Sequence, residues 1–174
     1  IPIVHTPEDL GSQLEEVRRE YIAKHGFSKW RDHNEAVGEF WQKLSAALIA
    51  LPVDYTKVKL YQDSLPVCGR EIEIVENLAR NGNKNYQLLF ELVKKGATVI
   101  GSEDPNLLIE ERNRLIRKAV SEPYDELMER RDEFIARRIV STLKDGEIGM
   151  LFIGALHKVT EKLPGDVKVI TELK

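Results

Sequence analysis

Two strand-like runs in this chain each hand over to a histidine. Gly149-Met-Leu-Phe-Ile-Gly-Ala-Leu-His157 holds a four-residue apolar run that stops at Gly154 and reaches His157 three residues later. Ile1-Pro-Ile-Val4 runs straight into His5. Open α/β sheets place their chemistry where buried strands end, at the carboxyl edge of the sheet. Two further apolar runs end in acid: Lys57–Gln62 is followed by Asp63, and Ala97–Ile100 by Gly101, Ser102, Glu103 and Asp104. The chain has only four histidines, so two of them at strand ends is more than loop composition predicts. A lone histidine after a strand is nonetheless more often a loop or core residue than a ligand. Neutral imidazoles with one or two carboxylates hold a divalent metal with a position left open, which acidifies a water and polarises a carbonyl. Without a metal, a histidine acts as general base, a carboxylate orients it, and an arginine stabilises developing negative charge.

That arginine is expected on the long helix placed over Ser121–Lys144. At about 100° per residue, Tyr124, Leu127, Met128, Phe134, Ile135 and Ile139 share one stripe, with Arg131 and Arg138 inside it. Arg130, Glu133 and Arg137 fall on the opposite side. A guanidinium pointing at a sheet needs a partner, and the strand-end carboxylates are on offer. The alternative is that both arginines lie at the stripe's edges and snorkel to water. Arg131, nearer the stripe's centre, is the stronger candidate.

The elements that position these residues follow from periodicity and punctuation. Strands are expected at Ile1–His5, Lys57–Gln62, Ala97–Ile100, Gly149–Ile153 and Val167–Ile170. Helices are expected over Gln13–Lys24, Lys29–Leu51, Gly69–Arg80, Tyr86–Lys95, Pro105–Val120 and Ser121–Lys144, with Thr6 and Ser121 as caps before Pro7 and Pro123. Alternating strands and helices imply an α/β fold, a single domain over residues 1–174 with a mainly parallel sheet of about five strands flanked by helices. The chain carries no initiator Met and opens inside a strand, so upstream residues are expected.

Composition narrows the classes. With 174 residues, 42% hydrophobic and 32% charged, the chain suits one ordinary globular domain. A net charge of −3 argues against a nucleic-acid binder. No apolar run of about 18 residues exists, so no membrane span is expected. One cysteine, Cys68, excludes an internal disulfide and fits a reducing, cytoplasmic setting. Cys68 precedes a helix whose dipole could lower its pKa, though a plain small residue is the commoner case. Asp63 at a strand end is similar in place to the phospho-acceptor of receiver domains, but Lys158 fits that fold's lysine poorly.

Taken together, Glu129-Arg-Arg-Asp-Glu-Phe-Ile-Ala136 followed by Leu151-Phe-Ile-Gly-Ala-Leu-His157 resembles the TraB/PrgY family of the Tiki, erythromycin-esterase-like and ChaN-like superfamily. Arg131, Asp132 and Phe134 match its arginine–aspartate helix, and Gly154 and His157 its Gly-x-x-His strand end. Val4-His5 with Ser12, and Ile100-Gly-Ser-Glu-Asp104, look like its other strand ends. The resemblance implies an α/β fold with a site of histidines, acids and an arginine. Here that set is His5, His157, Arg131, Asp63 and Glu103 as catalytic residues, with His5, His157 and Glu103 as ligands of a divalent Mn, Co or Zn. The Tiki-type relatives imply a metal-dependent peptidase, and the esterase-like ones a metal-free hydrolase. The PrgY-like ones imply peptide-signal control, so a non-catalytic domain binding a peptide or small molecule stays open. A homodimer is compatible with all three.

Overall fold

A computed structural model describes residues 1–6, 14–116 and 126–171. Its elements in chain order are α1 (Leu14–His25), α2 (Phe27–Ile49), β1 (Val58–Gln62), α3 (Glu71–Arg80), α4 (Lys84–Lys94), β2 (Thr98–Ile100), α5 (Pro105–Ile116), α6 (Glu126–Thr142) and β3 (Ile148–Phe152). The expected turn at Pro7, the Ser12 position and the cap at Ser121–Pro123 lie outside the described residues. No helix among the described residues is long and apolar enough to cross a membrane.

Backbone contacts divide the chain into two units, one holding residues 1–3, 55–72 and 96–174, the other 4–54 and 73–95. The first contains the sheet, parallel throughout in the order β2-β1-β3. Central β1 is buried along its length except at Lys59, because helices must cover both faces of a parallel strand. Tyr61 faces α6, packs with Ile135, Ala136, Ile139 and Val159, and shares a 2.8 Å hydrogen bond with Thr142 Oγ1. Side chains alternate along a strand, so Asp63, two residues on, inherits that face.

The expected sheet of about five strands is reduced to three. Residues 1–3 run parallel beside the end of β3 through a single bridge, with Ile3 N donating to Ile153 O and Ile153 N to Ile1 O, both at 3.0 Å. The strand expected at Val167–Ile170 is absent. Val167 N closes a turn onto Pro164 O, and Val169 and Ile170 are exposed. Without a ladder partner or a surface to cover its apolar side chains, that alternating run has nothing to hold it extended.

In the second unit, α2 buries Trp30, Val37, Trp41 and Leu48 along one helical face. Trp41 Nε1 donates to Val4 O at 2.8 Å. Gly26, with φ +86°, ends α1 and admits the turn into α2. His25 and His33 are exposed and stand beside the Tyr21 ring.

A buried charge cluster at the carboxyl edge of the sheet

Each strand of the first unit delivers one titratable side chain to a common point. Asp63 follows β1 directly, its backbone N donating to Phe152 O at 2.9 Å. Glu103 lies three residues past β2. Its segment is fixed by Ser102 N and Glu103 N on Leu65 O, and by Val67 N on Glu103 O. Gly101 makes this possible, since a Cβ there would stand 2.8 Å from Pro66 O and Val67 Cα. His157 follows β3 through one tight turn, His157 N donating to Gly154 O at 3.2 Å. The Gly-x-x-His spacing is therefore one turn that folds the imidazole back over the strand end.

Helix α6 supplies the rest. Leu127, Arg131, Ile135 and Ile139 form its buried stripe, so Arg131 stands one turn before the apolar contacts, where the sheet gives way to carboxylates. Its Nη2 donates to Glu103 Oε1 at 2.6 Å and to Asp63 Oδ1 at 2.8 Å, and Nε to Glu103 Oε2 at 3.3 Å. Nη1 reaches Glu111 of α5. The Arg131 side chain is 3% exposed and that of Glu103 is 0%. Breaking such a buried pair by removing one partner costs about 3–5 kcal/mol. Arg138, also expected to face the sheet, is half-buried and donates to Gly101 O at 3.1 Å rather than to a carboxylate.

The imidazole of His157 sits between two acids. Nδ1 meets Asp132 Oδ1 at 2.5 Å, and Nε2 stands 3.4 Å from Asp63 Oδ2. Asp132 is itself fixed by Lys158 N on Oδ2 at 2.7 Å. Asp63 Oδ2 also accepts from Gly154 N at 3.2 Å, and Oδ1 from Ser64 Oγ at 3.1 Å.

These contacts move the proton affinities. Burial disfavours the imidazolium of His157, but hydrogen bonds to Asp132 and Asp63 and the charge of Asp63 outweigh it and push its pKa up to about 9. Burial likewise works against the Asp63 carboxylate, yet His157, Arg131 and the Gly154 N–H hold it well below the usual carboxylate range. For Glu103 burial prevails over the help of Arg131, so its pKa is raised. Arg131 is buried against its charge, but Glu103, Asp63 and Glu111 more than restore it.

Asp63, Glu103 and His157 could hold a metal ion, each offering one ligand atom within 4.8 Å of the others. Ligand bonds of about 2.0–2.2 Å allow two donors across one ion a separation of at most about 4.4 Å, so the set closes on an ion only if its side chains shift. Asp63 takes the place in this set that the sequence assigns to His5. His5 is solvent-exposed in the second unit and is not one of the three. Four of the five expected residues, Asp63, Glu103, Arg131 and His157, are joined by hydrogen bonds or ion pairs. Asp132 and Glu111 were not among the expected site residues. Only the arginine–aspartate motif of α6 pointed to Asp132, and nothing in sequence pointed to Glu111.

A concavity of about 680 Å³ within the second unit, lined by Trp41, Ile49, Leu88 and Phe90 among others, carries none of these residues. No family model, curated protein or solved structure matches the chain.

Proposed function

We propose that this chain is a hydrolase of esters or peptides whose centre is the Asp63–Glu103–His157 cluster, assisted by a divalent ion. The observation that carries this reading is the arrival of one donor from the end of each strand at one point, with a carboxylate behind the histidine. The motif-level resemblance to TraB/PrgY and Tiki-type proteins supports it. An ion held by Asp63, Glu103 and His157 would supply an acidified water and a Lewis acid.

The chain's own groups have separate tasks. Asp132 holds Nδ1 of His157, leaving Nε2 to face the cluster, as a carboxylate behind a metal-ligating histidine does. Lys158 N holds Asp132 in turn. Where no ion is bound, Arg131 places a positive charge beside the same point, where negative charge develops on an attacked carbonyl. Asp63, with 16% of its side chain exposed, is the most accessible of the three donors and marks where a substrate would meet them.

A metal-free version draws on one observation. With a pKa of about 9, His157 is an imidazolium at neutral pH and can give a proton to a leaving group. The test of both is hydrolysis of a panel of p-nitrophenyl esters and short peptides, with added Mn²⁺ and with EDTA. Wild type should hydrolyse at least one of them, and His157→Ala and Asp63→Asn should lose about 100-fold or more in rate while keeping their circular dichroism. Loss with EDTA selects the metal version. An inert wild type, or a His157→Ala variant as fast as wild type, would end the proposal.

A further inference from the structure

We infer that Arg131 is the resident cation of the Asp63–Glu103–His157 cluster, and that a divalent ion enters only when Arg131 gives up those carboxylates and retreats to Glu111. A single nitrogen, Nη2, lies 2.6 Å from Glu103 Oε1 and 2.8 Å from Asp63 Oδ1. It thus bridges two of the three side chains that could ligate a metal. A place between two carboxylate oxygens at such distances is the place an ion would take. Arginine and ion cannot share it, because both are positive and Arg131 and Glu103 are almost wholly buried.

The guanidinium is also forked. While Nη2 and Nε engage the inner carboxylates, Nη1 holds Glu111 on α5. Glu111 is the outermost of these acids, with 31% of its side chain exposed. Turning the head group outward therefore gives up Asp63 and Glu103 but keeps a carboxylate partner, so Arg131 is never left as an unpaired charge. The incoming ion neutralises the two acids that Arg131 leaves. The cluster holds either its own arginine or a metal, and Glu111 is the parking position. This rests on the reading that the three side chains can take a metal, and not on hydrolysis.

The experiment is a calorimetric titration of Mn²⁺ into wild type, Arg131→Gln and Arg131→Lys, with thermal melts at each metal concentration. Arg131→Gln, which removes the competing charge, should bind Mn²⁺ about tenfold more tightly or better, and its melting temperature should rise with metal more than that of wild type. Arg131→Lys keeps the charge but not the fork, and should fall between. If Arg131→Gln does not fold, Arg131→Lys against wild type decides, with tighter binding expected in the lysine variant. Variants that bind no more tightly than wild type, including no binding in any of them, overturn the inference. The expected affinity order without hydrolysis in any protein would sink the hydrolase and leave the arginine exchange standing. Hydrolysis with equal affinities would do the reverse.

Discussion

His157 owes its proton affinity to two neighbours that differ in kind. Asp132 is fully buried and pinned by a backbone N–H, whereas Asp63 is tied to Arg131, Ser64 and Gly154 and partly open to solvent. Removing the charge of Asp132 should therefore act on the imidazole more than removing any exposed acid. In Asp132→Asn the His157 titration, followed by NMR of the imidazole, should drop from about 9 toward the ordinary histidine value. A midpoint left where it was would show that Asp63 alone sets it. At this scale the sequence is partly readable. Arg131 is legible because it falls inside an apolar stripe, where a charge demands a partner. Asp132 sits one residue further round the helix, and by periodicity alone, without the arginine–aspartate motif, it reads as one more polar residue. It becomes buried only because the turn after β3 brings His157 and Lys158 onto it, 25 and 26 residues away.

The elements are held where they are by close approaches as much as by propensity. Gly101 is the clearest case, since the backbone at Pro66 and Val67 leaves no room for a side chain between β2 and Glu103. Gly101→Ala should cost about 1–3 kcal/mol in denaturant unfolding, because Pro66 O and Val67 Cα are backbone atoms and cannot rotate away. Gly38 gives the contrast. It lies inside α2 with open space where its Cβ would be. Gly38→Ala should stabilise by about 0.5–1 kcal/mol by restricting the unfolded chain. Equal effects of the two substitutions would contradict this account of the β2 turn. Helix and strand positions are largely legible, because apolar periodicity marks them along the chain. The run at Val167–Ile170 was misread because alternation alone does not make a strand; a neighbouring edge must be free to receive it.

Across the whole molecule, the cluster makes stability depend on pH from both sides. His157 has a folded pKa of about 9, above its ordinary 6.5, so its contribution is fully present below about pH 6.5 and is lost as pH rises through 9. Asp63 is shifted down, so its contribution is present above the ordinary carboxylate range and is lost in acid. Glu103, shifted up, works against Asp63 and softens the acid limb. Urea unfolding of the metal-free protein should therefore show a falling alkaline limb between about pH 6.5 and 9, and His157→Asn should flatten it. An unchanged limb in the variant would remove His157 as its cause. The sequence by itself determined the parallel α/β character, the strand ends that carry Asp63, Glu103 and His157, and the inward side of α6 that carries Arg131. These depend on periods of two and 3.6 residues and on local turns, which a few neighbouring residues dictate. Only the tertiary structure decided that three strands suffice, that Asp63 rather than His5 completes the metal-capable set, and that Asp132 and Glu111 belong to the cluster. Those outcomes depend on partners tens of residues apart, and burial of a charge is settled by where such partners meet, not by its own stretch of chain.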